Sequence, residues 1–205
     1  MKKIFSFVSM ILTLASLTSL FAADKAEIDK PAPNFTLTDS NGNEHSLSDF
    51  AGKNVVLEWI NFDCPFVKKH HDGKNMQALQ KKYTEKEVVW LSICSSAEGK
   101  QGNFTNEEIN KRIADHGASM TGYLLDASGE VGKMYAAKTT PHMYVINKEG
   151  VLVYAGGIDD IKSTDVDDIK DATNYVSKAL DELLEGNEVS VKVSSPYGCS
   201  VKYNN

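Results

Sequence analysis

Apolar and polar positions change rhythm several times along the chain, and each change marks an element. Residues 54–60, centred on Val55-Val56-Leu57-Glu58-Trp59-Ile60, and Val88 to Cys94 are near-continuous apolar runs rich in β-branched and aromatic side chains. That is the pattern of short strands buried on both faces. Phe35 to Leu37 and Glu44 to Leu47 flank Asn41-Gly42, which predicts an N-terminal β-hairpin. After Cys64-Pro65 the chain has no helix breaker until Gly73, and a helix is expected over 65–82, bent at that glycine. Ser95 to Asn103 reads as a flexible loop. Thr105-Asn106-Glu107-Glu108 is a capping box that opens a helix to about His116. Gly122 to Leu125 reads as a strand and Gly129 to Ala137 as a short helix. Thr139 to Ile146 is turned back by Asn147-Lys148-Glu149-Gly150 into Val151 to Tyr154, a second hairpin. Ala172 to Leu184 has apolar residues at helical spacing, and Gly186 ends it. A β-prone run, Val189 to Val193, starts a tail, 188–205. Interleaved strands and helices of this order make an α/β fold: a mixed central sheet with helices on both faces.

The N-terminus changes the picture of where the chain works. Lys2 and Lys3 precede Ile4 to Phe21, an apolar stretch interrupted by serines and threonines, and Ala22-Ala23 follow. This is the pattern of a cleavable signal peptide over 1–22, not of a well-made membrane span. Residues 23–205 then form one domain, exported to a periplasm or to the outside of the cell and not embedded in a membrane. Removing Lys2 and Lys3 from the formal charge of −6 leaves about −8, so nucleic acid is not an expected partner. Arg112 is the one arginine of the sequence, which argues against an arginine clamp. The three cysteines, Cys64, Cys94 and Cys199, all lie in the exported part. An odd count leaves at least one thiol unpaired.

The candidate chemistry centres on Cys64. A strand that delivers a cysteine to a helix whose first position is proline puts the sulfur at that helix's N-terminus, because proline lacks the N–H that would go unpaired there. The positive dipole end favours the thiolate, which is the nucleophile. Lys68, one turn on, adds positive charge. The parallel strands 54–60 and 88–94 place Cys94 at the same edge of the sheet, where it reads as a core thiol. Asp63, Cys64, His70, His71 and His142 raise a copper or zinc reading. However, His70 and His71 point about 100° apart on a helix, so both read as solvated surface histidines, and no metal or other cofactor is expected. Asp159, Asp160, Asp165, Asp167, Asp168 and Asp171 lack EF-hand spacing and read as a solvated acidic loop.

Several stretches carry a family resemblance. Phe35-x-Leu37-x-Asp39-x-x-Gly42, Ser46-Leu47-Ser48-Asp49-Phe50-x-Gly52-Lys53 and the strand after them resemble the opening of the redoxins, within the thioredoxin-like superfamily. Thr140-Pro141 before a strand is similar to the cis-proline loop of the thioredoxin fold. Asp63-Cys64-Pro65-Phe66-Val67-Lys68-Lys69-His70, Ser95-Ser96-x-x-Gly99-Lys100-Gln101-Gly102, Asp159-Asp160 and Gly198-Cys199-Ser200-Val201-Lys202 resemble a peroxiredoxin-like subgroup. The resemblance implies a thioredoxin-like fold and thiol redox chemistry. It also implies that Pro141 is cis and that Thr140 offers backbone hydrogen bonds to an incoming peptide.

Two departures narrow the chemistry. Val67 stands where a Cys-x-x-Cys motif has its second cysteine. Leu57 and Asn61 stand where a peroxiredoxin has proline and threonine before its peroxidatic cysteine, and its late arginine has no counterpart. The groups that polarise a peroxide are thus missing. A thiolate that attacks a disulfide or peroxide needs a second thiol to finish the cycle. Cys199 is the first choice, from a Pro/Gly-containing tail able to fold back, and Cys94 the second; an unpaired tail cysteine is the alternative. The expectation is an exported thiol–disulfide oxidoreductase. Cys64 is its nucleophile, Cys199 its resolving thiol, and Thr140 and Pro141 its substrate-binding residues. Its partners are a protein or small-molecule thiol or disulfide and an unidentified reductant or oxidant. A peroxidase with antioxidant activity using Cys64, and a non-catalytic binding module or copper carrier, are the alternatives.

Overall fold

The structure is a computed structural model that describes residues 25–204; the signal peptide expected over 1–22 lies outside them. Strands β1 (Thr36–Asp39) and β2 (Glu44–Ser46) form the first hairpin, and β3 (Val55–Trp59) follows. Helices α1 (Pro65–Asp72) and α2 (Asn75–Thr84) lead to β4 (Val89–Cys94), α3 (Asn106–His116), β5 (Gly122–Leu125) and α4 (Glu130–Met134). Then come β6 (Thr139–Thr140), β7 (His142–Ile146), β8 (Leu152–Gly156), α5 (Tyr175–Leu184) and β9 (Cys199–Ser200). Seven strands make the main sheet in the order β2-β1-β5-β4-β3-β7-β8, and β6 pairs with β9 apart from it. β3, β4 and β5 run parallel, and β7 returns antiparallel beside β3. The α/β class, the mixed sheet and the N-terminal hairpin are as expected.

Successive side chains of a strand point to opposite faces, so a strand apolar throughout is buried on both. On β3, Val55, Leu57 and Trp59 enter a core with Phe35, Leu91, Ile93, Tyr135 and Tyr144. Val56 enters the opposite core with Met76, Tyr83, Trp90, Val145, Tyr154 and Leu180, where α2 and α5 pack. Trp59, Trp90 and Tyr144 are core residues. Among the described residues no helix is long and apolar enough to cross a membrane.

Four expectations need correction. The helix expected over 65–82 is two helices. Lys74 takes a left-handed φ of 58°, and a Cβ at Gly73 would meet Ile169 Cδ1 at 2.5 Å, so the 166–171 turn occupies the break. The expected flexible loop after β4 is anchored. Ser95, Ser96 and Ala97 are buried, Ser95 Oγ accepts the Trp59 indole N–H at 2.9 Å, and the Ala97 N–H donates to the Lys202 carbonyl. His70 and His71 are fully buried rather than solvated, because α1 is covered by neighbours on both sides. The acidic stretch is solvated only in part, since Asp159 is buried and pairs with Tyr197. The 189–193 run follows β8, with the Ala155 N–H donating to the Lys192 carbonyl, but makes no strand of its own.

Candidate active site

β3 ends in a turn that Asn61 organises: its side chain accepts the Asp63 N–H and its carbonyl accepts the Cys64 N–H, both at 2.9 Å. Cys64 is the residue before α1, Pro65 is its first helical residue, and the Cys64 carbonyl accepts the Val67 and Lys68 N–H groups. The cysteine therefore stands at the N-terminus of an eight-residue helix, as the Cys-Pro pattern predicts.

Cys64 is completely buried, and its Sγ donates to the Thr140 carbonyl at 3.0 Å. The Thr140–Pro141 peptide bond is cis. On the other side of Thr140 lies the tail, in antiparallel register, with Thr140 opposite Cys199 and Thr139 opposite Ser200. Cys199 packs against the apolar cluster that contains Cys64, Val67 and Phe62. Thr140 and Pro141, on the loop into β7, and Cys199, on the tail, thus meet Cys64 in one place. All three cysteines are thiols in this structure.

The two thiols facing each other are displaced in opposite directions. Burial works to raise the Cys64 pKa. It is outweighed by hydrogen bonding from the Cys199 side chain and the backbone N–H groups of Cys199 and Val67, which hold Cys64 below the ordinary thiol range. The Thr140 hydroxyl is buried and has no hydrogen-bond partner. Burial pushes the Cys199 thiol up to about 11, and its proton also serves Cys64.

Cys94 sits apart from this pair. It closes β4 in the same apolar cluster as Cys64 and donates to the Gly102 carbonyl at 3.3 Å. The histidines are engaged elsewhere. The His142 ring lies 4.6 Å from that of Tyr144 and hydrogen-bonds to its hydroxyl. His71 packs against both Phe62 and His116, and His70 contacts Tyr197 and Asn75. Burial lowers His70 and His71 to about 3 and His142 to about 4, so all three are neutral imidazoles at pH 7. Among the described residues no three or more His, Cys, Asp or Glu side chains cluster as metal ligands.

Three further features lay hidden in the sequence. Arg112 reads there as a mid-helix residue far from Cys64. In the fold its Nη1 donates to Asp63 Oδ1 at 3.0 Å, and its guanidinium stacks over Phe104 at 3.9 Å, which puts a cation at the Cys64 turn; Lys68 is exposed. Glu58 is a carboxyl buried within β3; burial raises its pKa although Trp90 Nε1, Ser92 Oγ and Gln80 Nε2 all donate to its Oε2. An acid inside an apolar strand was the signal for it. Tyr197, two residues before Cys199, bonds to Asp159 and His70, a link that no local pattern announces.

Comparison with known proteins bears on the fold and the family. The thiol-disulfide oxidoreductase ResA of Bacillus cereus (strain ATCC 10987 / NRS 248) is 28% identical over 130 residues, 63% of this chain and 69% of the relative. A conserved protein from Geobacillus kaustophilus has a solved structure with 30% identity and a TM-score of 0.74, covering 87% of this chain and 93% of that one. The thioredoxin domain of a thiol-disulfide oxidoreductase from Bacteroides vulgatus shares the fold, with a TM-score of 0.51 at 20% identity over 72% of this chain and 97% of that domain. The fold is thioredoxin-like. A family model described as Redoxin matches residues 27–174, and on that match the chain belongs to the redoxin family.

Proposed function

We propose that the protein is a thiol–disulfide oxidoreductase in which Cys64 is the nucleophile and Cys199 the resolving thiol. One observation carries the reading: Cys64 stands at a helix N-terminus with its sulfur bonded to the Thr140 carbonyl, and Cys199 lies opposite Thr140 in register. The Cys64 thiolate attacks one sulfur of a substrate disulfide, forms a mixed disulfide and expels the other sulfur as a thiolate. Cys199 then gives up its proton and attacks the Cys64 sulfur. The substrate's remaining sulfur leaves and takes up a proton. Two substrate thiols and a Cys64–Cys199 disulfide result, and an external dithiol returns the protein to its starting state.

The helix N-terminus stabilises the attacking thiolate. Arg112 is committed to Asp63 and Phe104, which supports a disulfide rather than a peroxide as the oxidant. The Lys2-Lys3 start, the apolar run to Phe21 and Ala22-Ala23 support export to a compartment where disulfides persist.

Purified protein is mixed with oxidised glutathione, quenched by acid and mapped by mass spectrometry. The expected product is a Cys64–Cys199 disulfide with Cys94 free. Cys199→Ser accumulates a Cys64–glutathione mixed disulfide, and Cys64→Ser exchanges nothing. Turnover by the Cys64→Ser protein at the wild-type rate removes the reading.

A further inference from the structure

The nucleophile of this site is closed to solvent. Cys64 is fully buried, whereas Cys199 is partly exposed. The cover is the tail itself, tied down at both ends. Beyond Cys199, the Val201 N–H donates to the Lys138 carbonyl, and the Tyr203 hydroxyl donates to the Ala137 carbonyl at 2.8 Å. Before Cys199, the Tyr197 hydroxyl donates to Asp159 Oδ1 and lies 3.3 Å from His70 Nε2. Asn75 Nδ2 donates to His70 Nδ1 at 2.9 Å, which leaves Nε2 to carry the ring proton and present it to Tyr197 and to Asp159 Oδ2, 3.8 Å away. The Phe66 ring meets Tyr197 edge-on at 5.8 Å.

Tyr197, Asp159 and His70 are each at least nine-tenths buried. Apolar side chains would fill that space at no desolvation cost, so a buried polar trio has its value in geometry rather than in net stability. Its geometry is specific. His70 rides on α1, the helix that Cys64 starts, and Tyr197 is two residues from Cys199. The trio thus couples the nucleophile's helix to the strand that carries the second thiol. Between Tyr197 and Cys199, Gly198 lies so close to Thr140 that a Cβ there would stand 2.1 Å from the Thr140 carbonyl oxygen.

The tail also fills the backbone edge that any extended partner needs. A peptide bringing a disulfide to Cys64 has to place its sulfur where the Cys199 sulfur lies, and the Thr139–Thr140 edge is already paired with Cys199 and Ser200. A small disulfide makes no strand pairing and so does not compete for that edge.

We propose that Tyr197, Asp159 and His70 are positioning residues that latch Cys199 onto the Thr140 edge, and that this latch shuts extended peptides out of the Cys64 site while small disulfides are admitted. The proposal rests on the exchange reading above and deepens it by naming the class of disulfide that the latched protein accepts. Loosening the latch lowers the effective concentration of Cys199 at Cys64 and frees the edge for a peptide.

Tyr197→Phe tests it, because it keeps the ring and the Phe66 contact and removes only the hydroxyl. In glutathione buffers the ratio of Cys64–Cys199 disulfide to Cys64–glutathione mixed disulfide falls about tenfold, the size expected for losing one hydrogen bond to a charged partner. The rate with an extended peptide bearing a glutathione mixed disulfide rises at least fivefold, and the rate with oxidised glutathione changes less than twofold. Asp159→Asn, which keeps an acceptor for the Tyr197 hydroxyl, lies between wild type and Tyr197→Phe on both readouts. An unchanged ratio in a folded Tyr197→Phe protein, or equal acceleration of peptide and glutathione, overturns the proposal. A wild-type protein that never forms the Cys64–Cys199 bond instead overturns the exchange reading. The latch is then read in the Cys199→Ser background, where adding Tyr197→Phe must speed alkylation of Cys64 by a peptide-linked iodoacetamide more than by iodoacetamide itself; equal speeds overturn it there.

Discussion

Gly198→Ala puts the most local strain on the site for the smallest chemical change. Gly198 has φ 139°, a conformation that costs a residue with a side chain about 1–3 kcal/mol. The added methyl would also stand 2.1 Å from the Thr140 carbonyl oxygen and 2.8 Å from its carbon. An ordinary contact there needs the tail to withdraw by about 1 Å. Both costs fall on the seated tail and are relieved when it lifts, so the strain appears chiefly as a shift between seated and lifted forms. At 1.4 kcal/mol per factor of ten, a strain of about 1–3 kcal/mol lowers the effective concentration of Cys199 at Cys64 by about 5-fold to 150-fold. The protein's disulfide becomes correspondingly easier to reduce. The assay is a redox titration in glutathione buffers with each cysteine followed by mass spectrometry. Gly186→Ala is the control: that glycine also has positive φ, 80°, but nothing stands within 4 Å of its Cβ position. It lowers the melting temperature without moving the thiol equilibrium. A Gly198→Ala protein whose midpoint matches wild type within twofold refutes the argument that the Thr140 contact seats Cys199.

Two buried ionisable groups give predictions of opposite sign in pH. His71 has a pKa near 3 in the fold against 6.5 in an unfolded chain, chiefly through burial; the unfolded chain therefore binds the extra proton, and stability is full above pH 6.5 and lost as the pH falls toward 3. His71→Phe keeps an aromatic ring against Phe62 and His116 and removes two ring nitrogens that have no partner. Its stability relative to wild type rises as the pH drops from 6.5 to 4 in chemical denaturation, and a constant difference would contradict the assignment. Glu58 is displaced upward by burial from 4.5, so its stabilising effect is full below that pH and lost as the pH rises. Glu58→Gln therefore gains on wild type as the pH rises from 5 in the same experiment, and a difference that shrinks instead counts against an upward displacement of Glu58.

The local elements were legible in the sequence because burial on a strand or helix repeats with a short period. The runs that became β3 and β4, the Asn41-Gly42 hairpin and the Thr105–Glu108 capping box all follow from neighbours within a few residues. So did the position of Cys64 before a helix that starts with proline. The same local rules failed for His70, His71 and Asp159, where charge alone suggested solvent. They failed also for the loop after β4, whose glycines suggested mobility and whose Ala97 N–H is bonded to the tail.

What the sequence by itself determined was the place of Cys64 at the start of a helix, a matter of bonds between near neighbours. What tertiary structure alone decided was the company it keeps. Thr140 reaches Cys64 across 76 residues, Tyr197 reaches His70 across 127, and Arg112 reaches Asp63 across 49. No periodicity encodes such pairs. They exist because packing two apolar cores against one sheet fixes the register of every strand and the path of the tail over its edge. That placement decided which thiol faces Cys64 and which one stays in the core.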